Sequence, residues 1–194
     1  MDDLESKAAR TRRRILDASA HEFALYGYGG ASLRRIAAAA DLKVGSLYFH
    51  FKTKDELVAA TLVDGVDWAR TQLRAAIKAI PADASPQERI RLAVRGHLEA
   101  LHASHDRAAA VVRMVDTLPA ELRASHSEHE RRFARVWLDF LREGQAAGTV
   151  RTDVNVRVLR DLVVGALNST ASVNPSALRS ADLIAETWAT LLVP

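Results

Sequence analysis

A chain of 194 residues that is 48% hydrophobic and 26% charged, with 9 Gly and 5 Pro, has the composition of one or two small folded domains and excludes collagen-like and wholly disordered chains. Zero cysteines exclude disulfides, thiolate catalysis and Cys-based zinc or iron–sulfur sites, and no apolar run reaches the roughly 18 to 20 residues of a membrane span. The net charge of +3 is unevenly placed: residues 7–54 hold ten Lys or Arg against three Asp or Glu, a balance of +7, whereas residues 55–194 carry 17 against 18, a balance of −1, so only the N-terminal segment suits a polyanion.

Aromatics make up only 6% of the chain, which leaves Ala, Leu, Val and Ile to build the core and favours helices. Between Arg10 and Tyr26, Leu16, Ala20 and Phe23 recur at helical spacing, and Gly27, Gly29 and Gly30 end that first helix. Ser32 stands where a cap is needed for a short second helix, in which Leu33, Ile36, Ala37 and Ala40 form one inward stripe and Arg34 and Arg35 point out. After a turn at residues 41–43, Leu47 and Phe51 make the inward face of a third short helix. Lys43, Ser46, Phe49 and His50 are left on its outer side, and Phe49, two positions before Phe51, is expected to be exposed.

Thr53-Lys54-Asp55-Glu56 is a capping-box pattern that opens a long helix running towards Pro81. Ser85-Pro86-Gln87-Glu88 repeats the signal with Pro at the first helical position, and Ile90, Val94, His97, Leu98 and Leu101 follow on one face. Phe133, Trp137, Phe140 and Leu141 mark a further helix that stops at residues 144–148. Asp153 is the expected cap of a helix through Val158, Leu162, Val163 and Ala166, and Ser180 that of a last one through Leu183, Ile184, Trp188 and Leu191. Nothing alternates with period two for long enough to suggest a sheet. The expected fold class is all-α with about nine helices: a three-helix N-terminal domain over residues 1–54, and a helical bundle over residues 55–194.

A short helix, a three-residue turn and a second short helix with outward polar groups is the pattern of a helix-turn-helix, whose second helix enters the major groove. The segment from Ile15 to Leu57 resembles the tetracycline-repressor (TetR) family of regulators. The residues that carry the resemblance are Ile15, Ala18, Phe23, Gly27-Tyr28, Ser32-Leu33, Ile36-Ala37, Gly45-Ser46-Leu47-Tyr48-Phe49-His50-Phe51 and Lys54-Asp55-Glu56-Leu57. They cover the first third of the chain. Two positions depart from the family pattern: Asp41 stands where Gly is usual and a positive φ is wanted, and Lys43, which cannot cap, stands where Ser or Thr is usual.

The resemblance implies a DNA-binding domain in residues 1–54 and a ligand-binding and dimerising bundle in residues 55–194. It implies double-stranded operator DNA, a second copy of the chain and a small-molecule effector as partners, with no membrane, no cofactor and no catalysis, in the cytoplasm. Ser32, Tyr48 and Lys54 are the expected phosphate contacts, since hydroxyls and ammonium groups position a protein on the duplex. Arg34, Lys43 and Ser46 are candidates for base edges, and Val44 and Phe49 for thymine methyl groups. His50 is read either as a phosphate contact or as a hydrogen bonder at the helix end.

Within the bundle His97, Met114, Trp137, Phe140 and Asn168 are the candidate effector contacts, because an apolar lining with few polar groups suits an apolar or amphipathic molecule. Gly165-Ala166-Leu167-Asn168 and Pro175 are similar to acyl-thioester-responsive members of the family, which points to an acyl-CoA. Leu159, Leu162, Val163 and Ala166 on one helix, with Leu183, Ile184, Trp188 and Leu191 on the next, offer more apolar surface than one bundle needs and are assigned to a dimer interface. The chain lacks a phosphate-binding glycine loop, a His-Glu-x-x-His pair and a nucleophile elbow. The pairs His102 with His105 and His126 with His129 are read as solvated helix faces rather than metal ligands, for want of a third ligand at fixed spacing. Two rival readings stand beside the regulator: an architectural protein that binds DNA without reading it, and a helical-bundle carrier or enzyme.

Overall fold

A computed structural model describes residues 6–103, 110, 114, 117–173 and 180–194; His105 and Pro175 lie outside the described residues. Among the described residues there are eight helices and no strand: α1 (Lys7–Gly30), α2 (Leu33–Ala39), α3 (Val44–His50), α4 (Lys54–Lys78), α5 (Pro86–Ala103), α6 (Ala120–Ala146), α7 (Val156–Val173) and α8 (Ala181–Leu192). The fold is all-α, as the periodicity requires. The chain divides into two compact units, Met1–Gly65 with Asp106–Ser127, and Val66–His105 with Glu128–Pro194.

In the first unit, Ser6 caps α1 by accepting a hydrogen bond from the Ala9 amide, and Ile15, Leu16, Ala20 and Phe23 bury one face. Gly27 breaks the helical path at φ 65°, a conformation that a side chain would strain. The expected side-chain cap of α2 is absent. The Ser32 hydroxyl makes no capping bond, and the Ser32 amide instead donates to Glu22 Oε1 at 2.9 Å. A buried carboxylate from α1 thus lies at the positive N-terminal end of α2 and accepts the N-cap residue's own amide, a different donor from the one a capping hydroxyl serves. The turn to α3 passes through Asp41 at φ 52°, and the Leu42 amide closes it on the Ala37 carbonyl at 2.9 Å. Arg14 reaches across from α1 to the Ala40 carbonyl and to Asp41 Oδ2, so the turn lacking its usual glycine is held by a guanidinium. Lys43 occupies the N-cap of α3 without a side-chain capping bond, as its chemistry dictates. Ile36, Ala37, Leu47, Phe51, Leu57, Val58 and Leu62 join Phe23 in the core, together with Ala110, Met114 and Leu118.

The capping signals further along are met in part. Glu56 donates its amide to Thr53 Oγ1 at 3.0 Å, while its carboxylate reaches the Lys52 amide, one residue beyond the expected partner. Ser85 Oγ receives the Glu88 amide at 3.2 Å. Asp153 does not cap α7, because it is held by the Arg151 guanidinium; Asn155 Oδ1 takes the Arg157 amide at 2.9 Å instead. Ser180 makes no side-chain capping bond to α8.

In the second unit α5 lies along α8. Ala181, Ala185 and Ala189 recur every four residues on α8 and are buried, which lets the helices approach closely. Arg91 pairs with Glu186 and Arg95 with Asp182, matching i, i+4 positions on the two helices in opposite order. Gly96 of α5 sits so near α4 that an added Cβ would lie 2.3 Å from Ala76 Cβ. Leu73, Ile90, Val94, Leu98, Trp137, Leu141, Leu159, Val163 and Leu167 fill the core. No described helix is long and apolar enough to cross a membrane.

Candidate nucleic-acid interface

The N-terminal unit presents α3 with one face spent on the core and the other bare. Leu47 is fully buried, and Phe51 just beyond the helix is nearly so, while Phe49 is 77% exposed. An apolar ring of that size in water is costly unless something covers it. The Lys52 ammonium lies 5.7 Å from the Phe49 ring centroid and the His50 ring meets it edge-on, so a cation stands beside the exposed aromatic. Arg34, Lys43, Ser46 and Tyr48 are exposed, and Ser32, Val44 and His50 are half-buried. Arg34 and Lys43 make no hydrogen bond or ion pair with another described residue, which leaves both cations available.

Lys54 is more constrained than its spacing suggested. Its Nζ donates to the Ala31 carbonyl at 2.9 Å and lies 5.2 Å from the Tyr28 ring centroid, which leaves two ammonium hydrogens for an outside acceptor. Tyr28 in turn donates its hydroxyl to Asp55 Oδ1 at 2.7 Å, and the Asp55 carboxylate holds the phenol above its ordinary pKa. Behind this surface Glu22, 6% exposed, accepts from Arg35 Nε at 2.7 Å and from the Ser32 amide. Burial alone pushes the Glu22 carboxyl up, but the Arg35 guanidinium and the Ser32 amide together hold it below the ordinary carboxylate value. Arg35 also stacks over Tyr26 at 4.3 Å and binds the Gly30 carbonyl, so it is a strut for α2. Sequence reading missed Glu22, Arg14 and Lys52 because their roles depend on partners 10 to 27 residues away or, for Lys52, on the exposure of a neighbour.

The candidate effector residues are divided between the two units. Met114 is fully buried in the first unit's core, whereas His97, Trp137, Phe140 and Asn168 belong to the second unit. Trp137 Nε1 donates to His97 Nδ1 at 2.9 Å, so the ring proton of neutral His97 sits on Nε2, which meets Asn168 Oδ1 at 3.0 Å. Burial pushes the His97 pKa down to about 4, against the opposing hydrogen bond that Nε2 donates to Asn168. Phe140 meets Trp137 edge-on at 5.8 Å between centroids. His126 is buried and His129 lies 3.5 Å from Asp67, which corrects the reading of this pair as a solvated face. No group of three or more metal-ligating side chains occurs among the described residues.

The two helices assigned to the dimer divide by face. Leu159 and Val163 are buried in the unit's own core, and Ile184 and Trp188 pack partly against it, so these complete the single chain. Leu162, Leu183 and Leu191 stay exposed at 56%, 70% and 49%, with Ala166 and Val158 beside Leu162 on α7.

An all-helical chain with a basic N-terminal helix-turn-helix, an outward aromatic on its second helix and a helical C-terminal bundle is a DNA-binding regulator in architecture. A family described as bacterial regulatory proteins, tetR family, matches residues 15–61, and one described as tetracyclin repressor-like, C-terminal domain, matches residues 83–191. The chain belongs to the TetR family of transcriptional regulators, proteins that bind DNA and are not enzymes. The transcriptional repressor KstR2 of Mycolicibacterium smegmatis is 30% identical over 169 residues, which cover 82% of this chain and 78% of that protein. Among solved structures, FadR of Bacillus subtilis in complex with stearoyl-CoA has a TM-score of 0.76 at 21% identity, covering 93% of this chain and 97% of that one. AibR in complex with isovaleryl coenzyme A and operator DNA has a TM-score of 0.75 at 23% identity, covering 95% and 98%.

Proposed function

We propose that this chain is a cytoplasmic, homodimeric repressor that grips an operator half-site through residues 1–54 and lets go when an amphipathic effector enters the bundle of residues 55–194. The observation that carries the reading is the bare face of α3, with Phe49 exposed and Arg34 and Lys43 unpaired within the described residues. Lys43, Ser46 and Arg34 read base edges, Val44 and Phe49 touch thymine methyl groups, and Ser32, Tyr48, His50 and Lys54 hold phosphates. A second copy covers the exposed stripe of Leu162, Ala166, Leu183 and Leu191, where Gly165 permits close approach; two such stripes form an isologous four-helix contact.

The effector is an acyl-CoA thioester, its acyl part among the apolar side chains around Trp137 and Phe140 and a polar atom exchanging into the His97–Asn168 hydrogen bond. Two neighbours of the same fold, recorded with stearoyl-CoA and isovaleryl coenzyme A, support that class. Anisotropy titrations with DNA from upstream of the chain's own gene and with a scrambled duplex test the reading. Preference for the native duplex, lost in Phe49→Ala and reduced by isovaleryl- or stearoyl-CoA, is the expected result. Equal affinity for both duplexes assigns the chain to the architectural class instead, and native-sequence binding that neither thioester weakens removes the effector assignment.

A further inference from the structure

A cleft of about 320 Å³ opens in the second unit, between the start of α5 and the end of α6. Its floor is apolar: Ile90, Phe140 and Val150 line it and are each buried. Its walls carry opposite charges, Arg89 from the first turn of α5 and Glu143 from the last turn of α6. Neither side chain makes a hydrogen bond or ion pair with another described residue. The other two arginines of α5, Arg91 and Arg95, are both paired across to α8, so Arg89 stands apart.

Helix dipoles reinforce the asymmetry. The α5 N-terminus adds positive partial charge on the Arg89 side, and the α6 C-terminus, reached through Gly144 and Ala147, adds negative partial charge on the Glu143 side. The cleft is held open by a tight turn. The Gly144 carbonyl accepts from both the Thr149 and Val150 amides, at 2.8 and 3.1 Å. An added Cβ on Gly144 would stand 2.5 Å from Val150 Cγ2, so that wall is already in full contact and does not collapse inward. Phe140, on the floor, is the same ring that meets Trp137 edge-on.

We propose that this cleft binds a compact zwitterion with an apolar body, the class of an apolar α-amino acid. The carboxylate faces Arg89, the ammonium faces Glu143 and the aliphatic side chain covers Ile90, Phe140 and Val150. Glu143 is exposed and Arg89 half-buried, so both keep water, but a simple anion would meet the like charge of Glu143 and a simple amine that of Arg89, whereas a zwitterion sets an opposite charge against each wall. The cleft shares Phe140 with the proposed effector site, but its charged walls, Arg89 and Glu143, belong to neither the operator nor the effector assignment.

Calorimetric titration of the full chain with L-leucine, glycine, N-acetyl-leucine and leucinamide tests it. Leucine binds; glycine, lacking the apolar body, and the two blocked forms, each lacking one charge, bind at least about tenfold more weakly. Arg89→Ala loses the discrimination between leucine and leucinamide, and Glu143→Gln loses that between leucine and N-acetyl-leucine. Arg89 and Glu143 are not buried and belong to the second unit, whereas α3 belongs to the first, so melting temperature and operator affinity without leucine stay at the parent values, which separates failure here from failure of the repressor reading. Absence of heat with leucine up to roughly 10 mM, or equal affinity for leucine and its blocked forms, overturns the proposal.

Discussion

Replacing Arg35 by Ala strips the guanidinium from the buried Glu22 carboxylate and leaves it only the Ser32 amide. Breaking a fully buried pair from one side costs about 3 to 5 kcal/mol, but the Arg35 side chain is half exposed, so solvent takes part of the load and about 2 kcal/mol is the expected share. Loss of the Arg35 stacking over Tyr26 adds about 0.5 to 1 kcal/mol, for a total of roughly 2 to 3 kcal/mol at pH 7.5. The pH dependence identifies the cause. In the parent, the depressed Glu22 pKa contributes stability that is present above the unfolded carboxyl value near 4.3 and fades as pH falls through the folded value. In the variant burial is no longer opposed by Arg35, the pKa rises above that value, and protonation relieves the penalty as pH falls through it. Urea unfolding at fixed protein concentration, at pH 7.5 and pH 5, should therefore show a deficit that shrinks at the lower pH. The double variant Arg35→Ala with Glu22→Gln should recover a large part of the loss. A deficit that is the same at both pH values, or one that Glu22→Gln leaves untouched, would refute the reasoning.

Four further outcomes are expected. Lys43→Ala or Arg34→Ala should cost about 1 to 3 kcal/mol at particular base pairs, whereas Lys54→Ala should weaken all duplexes alike and lower the salt slope, both read by anisotropy across a salt series. Gly96→Ala should lower stability by about 1 to 3 kcal/mol, because a Cβ 2.3 Å from Ala76 Cβ forces α4 and α5 apart; adding Ala76→Gly should return part of it in thermal melts. Leu183→Lys should give a helical monomer with weakened operator binding, and an unchanged dimer by light scattering would remove the second copy from this face. His97, with its pKa at about 4, should stay neutral from pH 8 to pH 5 by nuclear magnetic resonance. Its unfolded value lies near 6.5, so stability is whole above that value and declines as pH falls towards 4, by roughly 3 kcal/mol in full.

Periodicity within a helix is a local property, and what it determines was legible in the sequence: eight described helices, the stop at Gly27, the inward Leu47 and Phe51, and the exposed Phe49 two positions away. A segment short enough to keep its pattern within seven residues leaves one arrangement of faces, so the helix-turn-helix could be drawn residue by residue. Partners from distant parts of the chain decided the rest. Ser32 has the chemistry of a cap, yet its hydroxyl makes no capping bond and its amide is held by Glu22, ten positions earlier, while Arg151 holds Asp153 and leaves Asn155 to serve α7. Met114 and Trp137 look alike as apolar residues of a helical region, but the fold sends one to each core. Leu159 and Leu162 differ in sequence only by three positions on one helix. The first is buried because its side of α7 meets the unit's core, and the second is left in water because no described residue covers its side. A sequence records which side chains seek burial; only the tertiary structure decides which of them the chain satisfies by itself and which it leaves for DNA, a ligand or a second copy.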